Sequence, residues 1–216
     1  MQNVLTYLKS LKANNDRDWF HANKPQYDKA KKEFEALVNR LIPEINKFDP
    51  NIGTITAKDC VFRIFRDIRF SPDKTPYKTH FGAYIAKGGR KSMYAGYYLH
   101  IDAEESFAAG GLHMPPAENL KKVRQEIMYN IEEFKKIILS DQFKSTFGTF
   151  MDDKLTRPPK DFPADFADIE LLKYKGFTVV NNLSEKDLLG DKGMDKILSA
   201  FKTLKPLNDF LNRGLE

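Results

Sequence analysis

Apolar residues recur at helical spacing at both ends of the chain and alternate with polar ones in the middle. Val4, Leu5, Leu8 and Leu11 predict a short first helix that Asn14-Asn15 stops. A second helix is expected to begin near Pro25, a residue suited to a first turn. Its stripe is Tyr27, Ala30, Phe34, Leu37, Leu41, Ile45 and Phe48, and Pro43 inside it predicts a kink or an early end. Between 60 and 114 the period shortens. Segments 61–70, 81–87, 94–103 and 106–112 read as strands bounded by turn residues, with short links that imply antiparallel hairpins. After Pro115-Pro116 the helical period returns in Leu120, Val123, Ile127, Ile131, Phe134 and Ile138, broken near Asn130. A short helix over 141–147 should end at Gly148, and the proline-rich stretch 157–163 reads as a loop. Segment 176–181 reads as a fifth strand, Ser184 with Asp187 as a capping box, and Met194, Ile197, Leu198, Phe201 and Leu204 as a last helix that Pro206 bends or divides.

Helices, then a strand meander, then helices describe an α+β layout rather than alternating βαβ units. The expectation is one domain over 1–216: a curved, mostly antiparallel sheet of about five strands, helices packed on one face, and helical N- and C-terminal regions. The 216 residues are 41% hydrophobic and 30% charged, with 35 Lys+Arg against 30 Asp+Glu, a composition that excludes disorder. One cysteine, Cys60, excludes an intramolecular disulfide and a Cys-based zinc site; it reads as a small buried hydrophobe. No apolar stretch is long enough for a membrane span and no signal peptide is visible, so a cytoplasmic protein with no membrane partner is expected.

Charge is uneven. Residues 1–100 carry 18 basic and 10 acidic side chains, residues 101–216 carry 17 and 20. Basic residues concentrate in the run from Arg63 to Lys78: Arg63, Arg66, Arg69, Lys74 and Lys78 against Asp67 and Asp73. In an ideal strand Phe62, Ile64, Arg66, Ile68 and Phe70 share one face, which leaves Arg66 as an arginine among apolar side chains. A guanidinium there needs a partner or a cavity mouth, because an isolated buried charge is costly, and its planar fork suits a carboxylate or phosphate. Ser71-Pro72-Asp73-Lys74 is a turn that carries Lys74, Tyr77 and Lys78 back toward that strand. Two readings follow. Arg63, Arg66, Arg69, Lys74, Tyr77 and Lys78 form a basic pocket for an anionic ligand, or the bases are neutralised in a lattice with Asp67, Asp73 and other acids.

The chain resembles an uncharacterised, mainly bacterial family, the domain-of-unknown-function family 2461, over nearly its whole length. The resemblance rests on Asn14-Asn15-x-x-x-Trp19-Phe20, the Arg63-to-Lys78 run, Gly96-Tyr97-Tyr98-Leu99-His100, Gly110-Gly111-Leu112 and Leu171-Leu172-Lys173. It implies no established activity. Ala109, where the family often has a third glycine, and His113, at a position resembling an aromatic one, depart from its pattern.

Other candidates are weighed against structural roles. Trp19 and Phe20 are a stacking platform or a core anchor. His100 and Asp102 share strand parity with Tyr98, and His113 lies one hairpin away, but the spacing matches no strong metal motif, so no metal is expected. His80 beside Lys78 is an acid–base candidate, as are His100, Asp67 and Asp102. Gly110-Gly111 before Pro115-Pro116 is a weak phosphate-nest signal, to which Arg124 from the next helix is expected to reach. No G-x-S-x-G occurs. The first functional expectation is a small-molecule-binding domain for a phosphate- or carboxylate-bearing ligand. The alternatives are a metal-assisted phosphoester hydrolase or phosphoryl-transfer enzyme in the same pocket, and a nucleic-acid or protein interaction module stacking bases on Trp19, Phe65, Phe70 and Tyr77. Cofactor and oligomeric state are not legible.

Overall fold

The computed structural model describes residues 1–190 and 192–216. Its elements follow the expected order. Three helices, α1 (Gln2–Ala13), α2 (Arg17–Ala22) and α3 (Lys24–Asn46), lead through the single turn α4 (Ala57–Cys60) into the strands β1 (His80–Ile85), β2 (Gly96–Asp102) and β3 (Ser106–Leu112). Helices α5 (Ala117–Tyr129), α6 (Ile131–Ile138), α7 (Asp141–Phe147) and α8 (Ile169–Leu172) precede β4 (Phe177–Leu183), and α9 (Glu185–Leu189) and α10 (Gly193–Arg213) follow it. The four strands form one antiparallel, unclosed sheet in the order β1-β2-β3-β4.

Strand parity gives the sheet two different faces. Phe81, Ala83 and Ile85 of β1, Tyr97, Leu99 and Ile101 of β2, Ala108 and Leu112 of β3, and Phe177 and Val179 of β4 are buried in a core shared with Leu8, Phe34, Leu41, Phe201 and Leu207 of the long helices. Gly110 lets α10 come close beneath β3: a Cβ there would sit 2.1 Å from Leu204 Cδ2. The opposite parity sets carry His80, Gly82, Tyr84, Tyr98, His100, Phe107, Ala109, Gly111, Thr178 and Val180, which line a cavity.

Several local expectations are met for the expected reasons. Asn130 separates α5 from α6, Gly148 (φ +72°) closes α7, and Ser184 and Asp187 make a reciprocal capping box. Neither internal proline interrupts its helix: α3 runs through Pro43 to Asn46 and α10 through Pro206 to Arg213. Burial of Leu41, Ile42 and Ile45, and of Leu204, Leu207 and Phe210, holds each helix on both sides of the missing amide. The short α2 was not expected; Asp16 caps it by accepting from the Trp19 amide at 2.8 Å.

The expected strand over 61–70 does not form, so the sheet has four strands rather than about five. The segment runs antiparallel beside 76–83 but with sparse bonds. The Phe62 amide donates to Gly82 O at 2.9 Å, the Lys78 amide to Ile64 O at 2.8 Å and the Arg66 amide to Pro76 O at 3.0 Å. Between the first two pairs one side advances by two residues and the other by four, a bulge that breaks the ladder. Pro72 and Pro76 bring no amide donors. The strict alternation is lost with the ladder: Ile64 is buried, while Phe70 is 94% exposed.

Candidate functional site

The Arg63-to-Lys78 run divides into three environments. At its tip the two arginines are paired with carboxylates of the loop and the lysine is hydrogen-bonded to a loop carbonyl. The Arg66 guanidinium bonds the Asp73 carboxylate and the Thr75 hydroxyl, and Ser71 Oγ at 3.2 Å. Arg69 makes a two-pronged pair with Asp67 at 2.9 and 2.7 Å. The Lys74 ammonium donates to Ile68 O at 3.0 Å. The Thr75 amide, then Arg66, pull the Asp73 carboxyl down to about 2, and Arg69 lowers that of Asp67. Arg66, the expected clamp, is thus engaged by its own loop.

Tyr77 belongs to the core. Its ring, 3% exposed as a residue, stacks on Phe20 with centroids 4.0 Å apart. Asn15 holds its backbone from both sides, donating to Tyr77 O at 2.9 Å and accepting from Tyr77 N at 3.1 Å. Two segments that carry the family resemblance, Asn14–Phe20 and the basic run, therefore meet in one packing unit. Trp19 lies half-buried against Tyr7, centroids 6.0 Å apart, which is the anchoring role.

The two ends of the run behave differently again. Arg63 and Lys78 line the cavity on the second sheet face, and among the described residues neither has a carboxylate partner. The cavity measures about 820 Å³, and Arg90 is its third permanent cation. No Asp or Glu lines it among the described residues. Burial, then the Arg63 charge, lower the Lys78 pKa, and the ammonium lies 5.6 Å from the centre of the Phe62 ring. The walls are mostly aromatic and apolar: Phe62, Tyr84, Tyr94, Tyr98, Phe107 and Val180, with Met93, Met114 and Met151 at exposed positions. Met114 has φ +44°, a rare conformation for a side chain of its size.

Gly82 shapes the floor. A Cβ there would come 2.6 Å from the Tyr98 hydroxyl oxygen, so its absence lets Tyr98 lean across β1. The Tyr98 hydroxyl is 3.1 Å from His100 Nδ1, and burial pushes its own pKa up to about 12. His100 stacks flat on Phe107, 4.4 Å centre to centre at 3°, and faces His80 at 4.2 Å. Burial, then His100 and Lys78, push His80 down to about 4, and burial lowers His100. Both shifts favour the neutral imidazole. Asp102 sits opposite His80 in the β1–β2 register.

The chain matches the family model described as "Conserved hypothetical protein (DUF2461)" over residues 3–210. It belongs to that family. No curated protein and no solved structure matches it. The DUF2461 chain thus gathers Arg63, Lys78, His80 and His100 at one cavity, and leaves Arg66, Arg69, Lys74 and Asp67 in the loop. His113 lies on the cavity wall, its Nδ1 3.5 Å from the Thr178 hydroxyl, apart from the His80–His100 pair. Arg124 does not reach the cavity; its guanidinium donates to Tyr174 O at 2.9 Å inside the helical layer. Gly110-Gly111 are part of β3, with their register partners in β2 and β4, rather than a turn feeding a helix. Cys60 is buried at the end of α4, and burial pushes its thiol up to about 12.

Sequence reasoning missed Arg90, Tyr84, Tyr94 and Gly82. The signal for Gly82 and Tyr84 was present: they share parity with His80 in β1, as Tyr98, His100 and Asp102 do in β2. Arg90 lies in a 3₁₀ turn after Gly88 and its guanidinium reaches Lys58 O, a placement no period announces.

Proposed function

We propose that this protein binds a small organic anion, a phosphate or carboxylate on a flat or apolar body, in the cavity of the second sheet face. The observation that carries this reading is the pairing of Arg63 and Lys78, two adjacent cations without a carboxylate partner among the described residues, on a cavity whose described lining holds no acid. Lys78 is half-buried beside the exposed Arg63; charges of like sign repel, and a bound anion removes that repulsion while accepting charge-assisted hydrogen bonds. The volume suits a drug-sized molecule, and Tyr84, Tyr98 and Phe107 offer faces for a planar body. The ligand-binding role moves from the whole run to its two ends. Of the aromatics in the nucleic-acid alternative, Tyr77 packs on Phe20 and Trp19 on Tyr7, while Phe65 and Phe70 are exposed, so only part of that platform faces solvent.

The test is a thermal-shift panel of inorganic phosphate, phenyl phosphate, nucleoside monophosphates and aromatic carboxylates, each beside its uncharged counterpart. A ligand at 100 times its Kd adds about 2.7 kcal/mol, roughly 5–10 °C for a chain of this size. An organic anion is expected to raise Tm, its neutral counterpart is not, and the Arg63→Ala/Lys78→Ala variant is expected to lose the shift. A panel without a stabilising anion, or a shift that survives in the double variant, overturns the reading.

A further inference from the structure

At the edge of the cavity, where β1 begins and β2 ends, the lining residues His80 and His100 meet Asp102, which stands just outside the lining. His80, His100 and Asp102 each offer one donor atom, and these atoms all lie within 4.8 Å of one another. We propose that they bind a single divalent transition-metal ion of the Zn²⁺ or Fe²⁺ class, in a two-imidazole, one-carboxylate set whose remaining positions open into the cavity. This goes beyond anion binding and does not depend on it.

The placement comes from the sheet. His80 and Asp102 are direct cross-strand partners, and His100, two residues before Asp102, projects from the same face. Antiparallel pairing therefore fixes the three Cα positions without any loop, a more rigid mounting than a loop gives. Each side chain is also oriented by a neighbour. The Tyr98 hydroxyl engages His100 Nδ1 and Phe107 stacks on the ring, which leaves Nε2 to take the ion. The Asp102 carboxylate accepts from the Thr79 hydroxyl at 3.2 Å and from the Glu104 amide at 2.9 Å, so its plane is set while each oxygen keeps a lone pair. Among the described residues the His80 ring has no hydrogen-bond partner. A second layer of donors and acceptors behind the ligands is the arrangement that metal-binding histidines and carboxylates use. The competing explanation is that the Asp102 carboxylate only caps the turn to β3, where it accepts from the Glu104 amide at 2.9 Å. That accounts for the carboxylate and leaves the His80 ring beside it without a hydrogen-bond partner among the described residues.

Two imidazoles and a carboxylate form a donor set of intermediate softness, suited to Zn²⁺ and Fe²⁺ and poor for Mg²⁺ or Ca²⁺. An ion there would stand beside Lys78, whose charge is close enough to act on His80. It would add a Lewis acid at the corner where the anion's head group is proposed to sit.

The experiment uses the metal alone. The chain is stripped with chelator and titrated with Zn²⁺ by calorimetry and with Co²⁺ by visible absorption. The expected result is one equivalent per chain. His80→Ala, His100→Ala and Asp102→Asn are each expected to weaken it at least about 100-fold, and Tyr98→Phe, which leaves all three ligands in place, about 10-fold. Folding of each variant is checked by circular dichroism. Should a histidine variant fail to fold, paramagnetic broadening of the His80 and His100 ring protons by Co²⁺ in the wild-type chain replaces it. No uptake by the wild-type chain, uptake undiminished in the variants, or Co²⁺ broadening confined to His21 or His113 overturns the metal site and leaves the anion reading standing.

Discussion

The tip and the ends of the Arg63-to-Lys78 run carry the same side chains with opposite consequences. At the tip Arg66 and Arg69 are paired with Asp73 and Asp67, and Lys74 is hydrogen-bonded to the Ile68 carbonyl within the loop. At the ends Arg63 and Lys78 come together against an aromatic wall with no acid among the described lining residues. The density of basic residues is shared by both. What separates them is compensation, which is decided by where the chain turns and what faces the turn. A basic run marks a region worth inspecting, and the unanswered charges within it mark the site.

Four measurements sharpen this contrast. The largest effect is expected at Tyr77, the member of the run that serves the core. Tyr77→Ala removes the stack on Phe20 and should destabilise the protein by about 3–5 kcal/mol in denaturant unfolding. The second separates a binding charge from a structural one. Lys78→Met keeps the stem and deletes a half-buried charge beside Arg63, so it should raise the stability of the unliganded protein by about 1 kcal/mol, roughly 2–4 °C. A fall in Tm would mean that Lys78 is compensated after all. The third runs the other way: Arg66→Ala should lower Tm, by no more than Lys78→Met raises it, and leave anion affinity unchanged, because a loop pair with one exposed partner contributes little. Loss of anion binding in Arg66→Ala would erase the distinction between tip and ends.

The smallest effect concerns pH. Asp73 has its carboxyl lowered from 3.8 to about 2 by the Thr75 amide and Arg66. A carboxyl lowered in the folded state stabilises that state fully above its unfolded value, and the contribution is lost as pH falls through the folded value. Hydrogen-exchange protection in 66–76 should therefore hold at pH 4 and fade toward about pH 2, and Asp73→Asn should weaken that dependence, leaving the part carried by the Asp67–Arg69 pair.

Much of the architecture was legible because it rests on local rules. The stripes of α3 and α10, the break at Asn130, the end at Gly148 and the Ser184–Asp187 capping box depend on periods and end signals carried by a few neighbouring residues. The false strand over 61–70 shows the limit. Its alternation of apolar and charged residues is genuine, but a strand also needs a partner ladder, and the offset opposite 79–81 and the prolines at 72 and 76 deny it one. The error carried over to the site, because placing Arg66 on an apolar face assumed the alternation. His80, His100 and Asp102 were each visible as ionisable groups. Their convergence depends on the β1–β2 register, and the shared parity of His100 and Asp102 supplied only half of it. The role of Asn15 in holding the Tyr77 backbone joins residues 62 apart in sequence and left no local trace.

The central claim is that the anion site lies at Arg63 and Lys78 and not at the tip of the loop. Its most direct test is a titration of the ¹⁵N-labelled protein with phenyl phosphate, followed by amide and side-chain resonances. The account predicts saturable shifts at Arg63, Lys78, Gly82 and Tyr98, with the amides of 67–74 unmoved. Shifts concentrated at Arg66, Arg69 and Lys74, with the cavity residues silent, would contradict it.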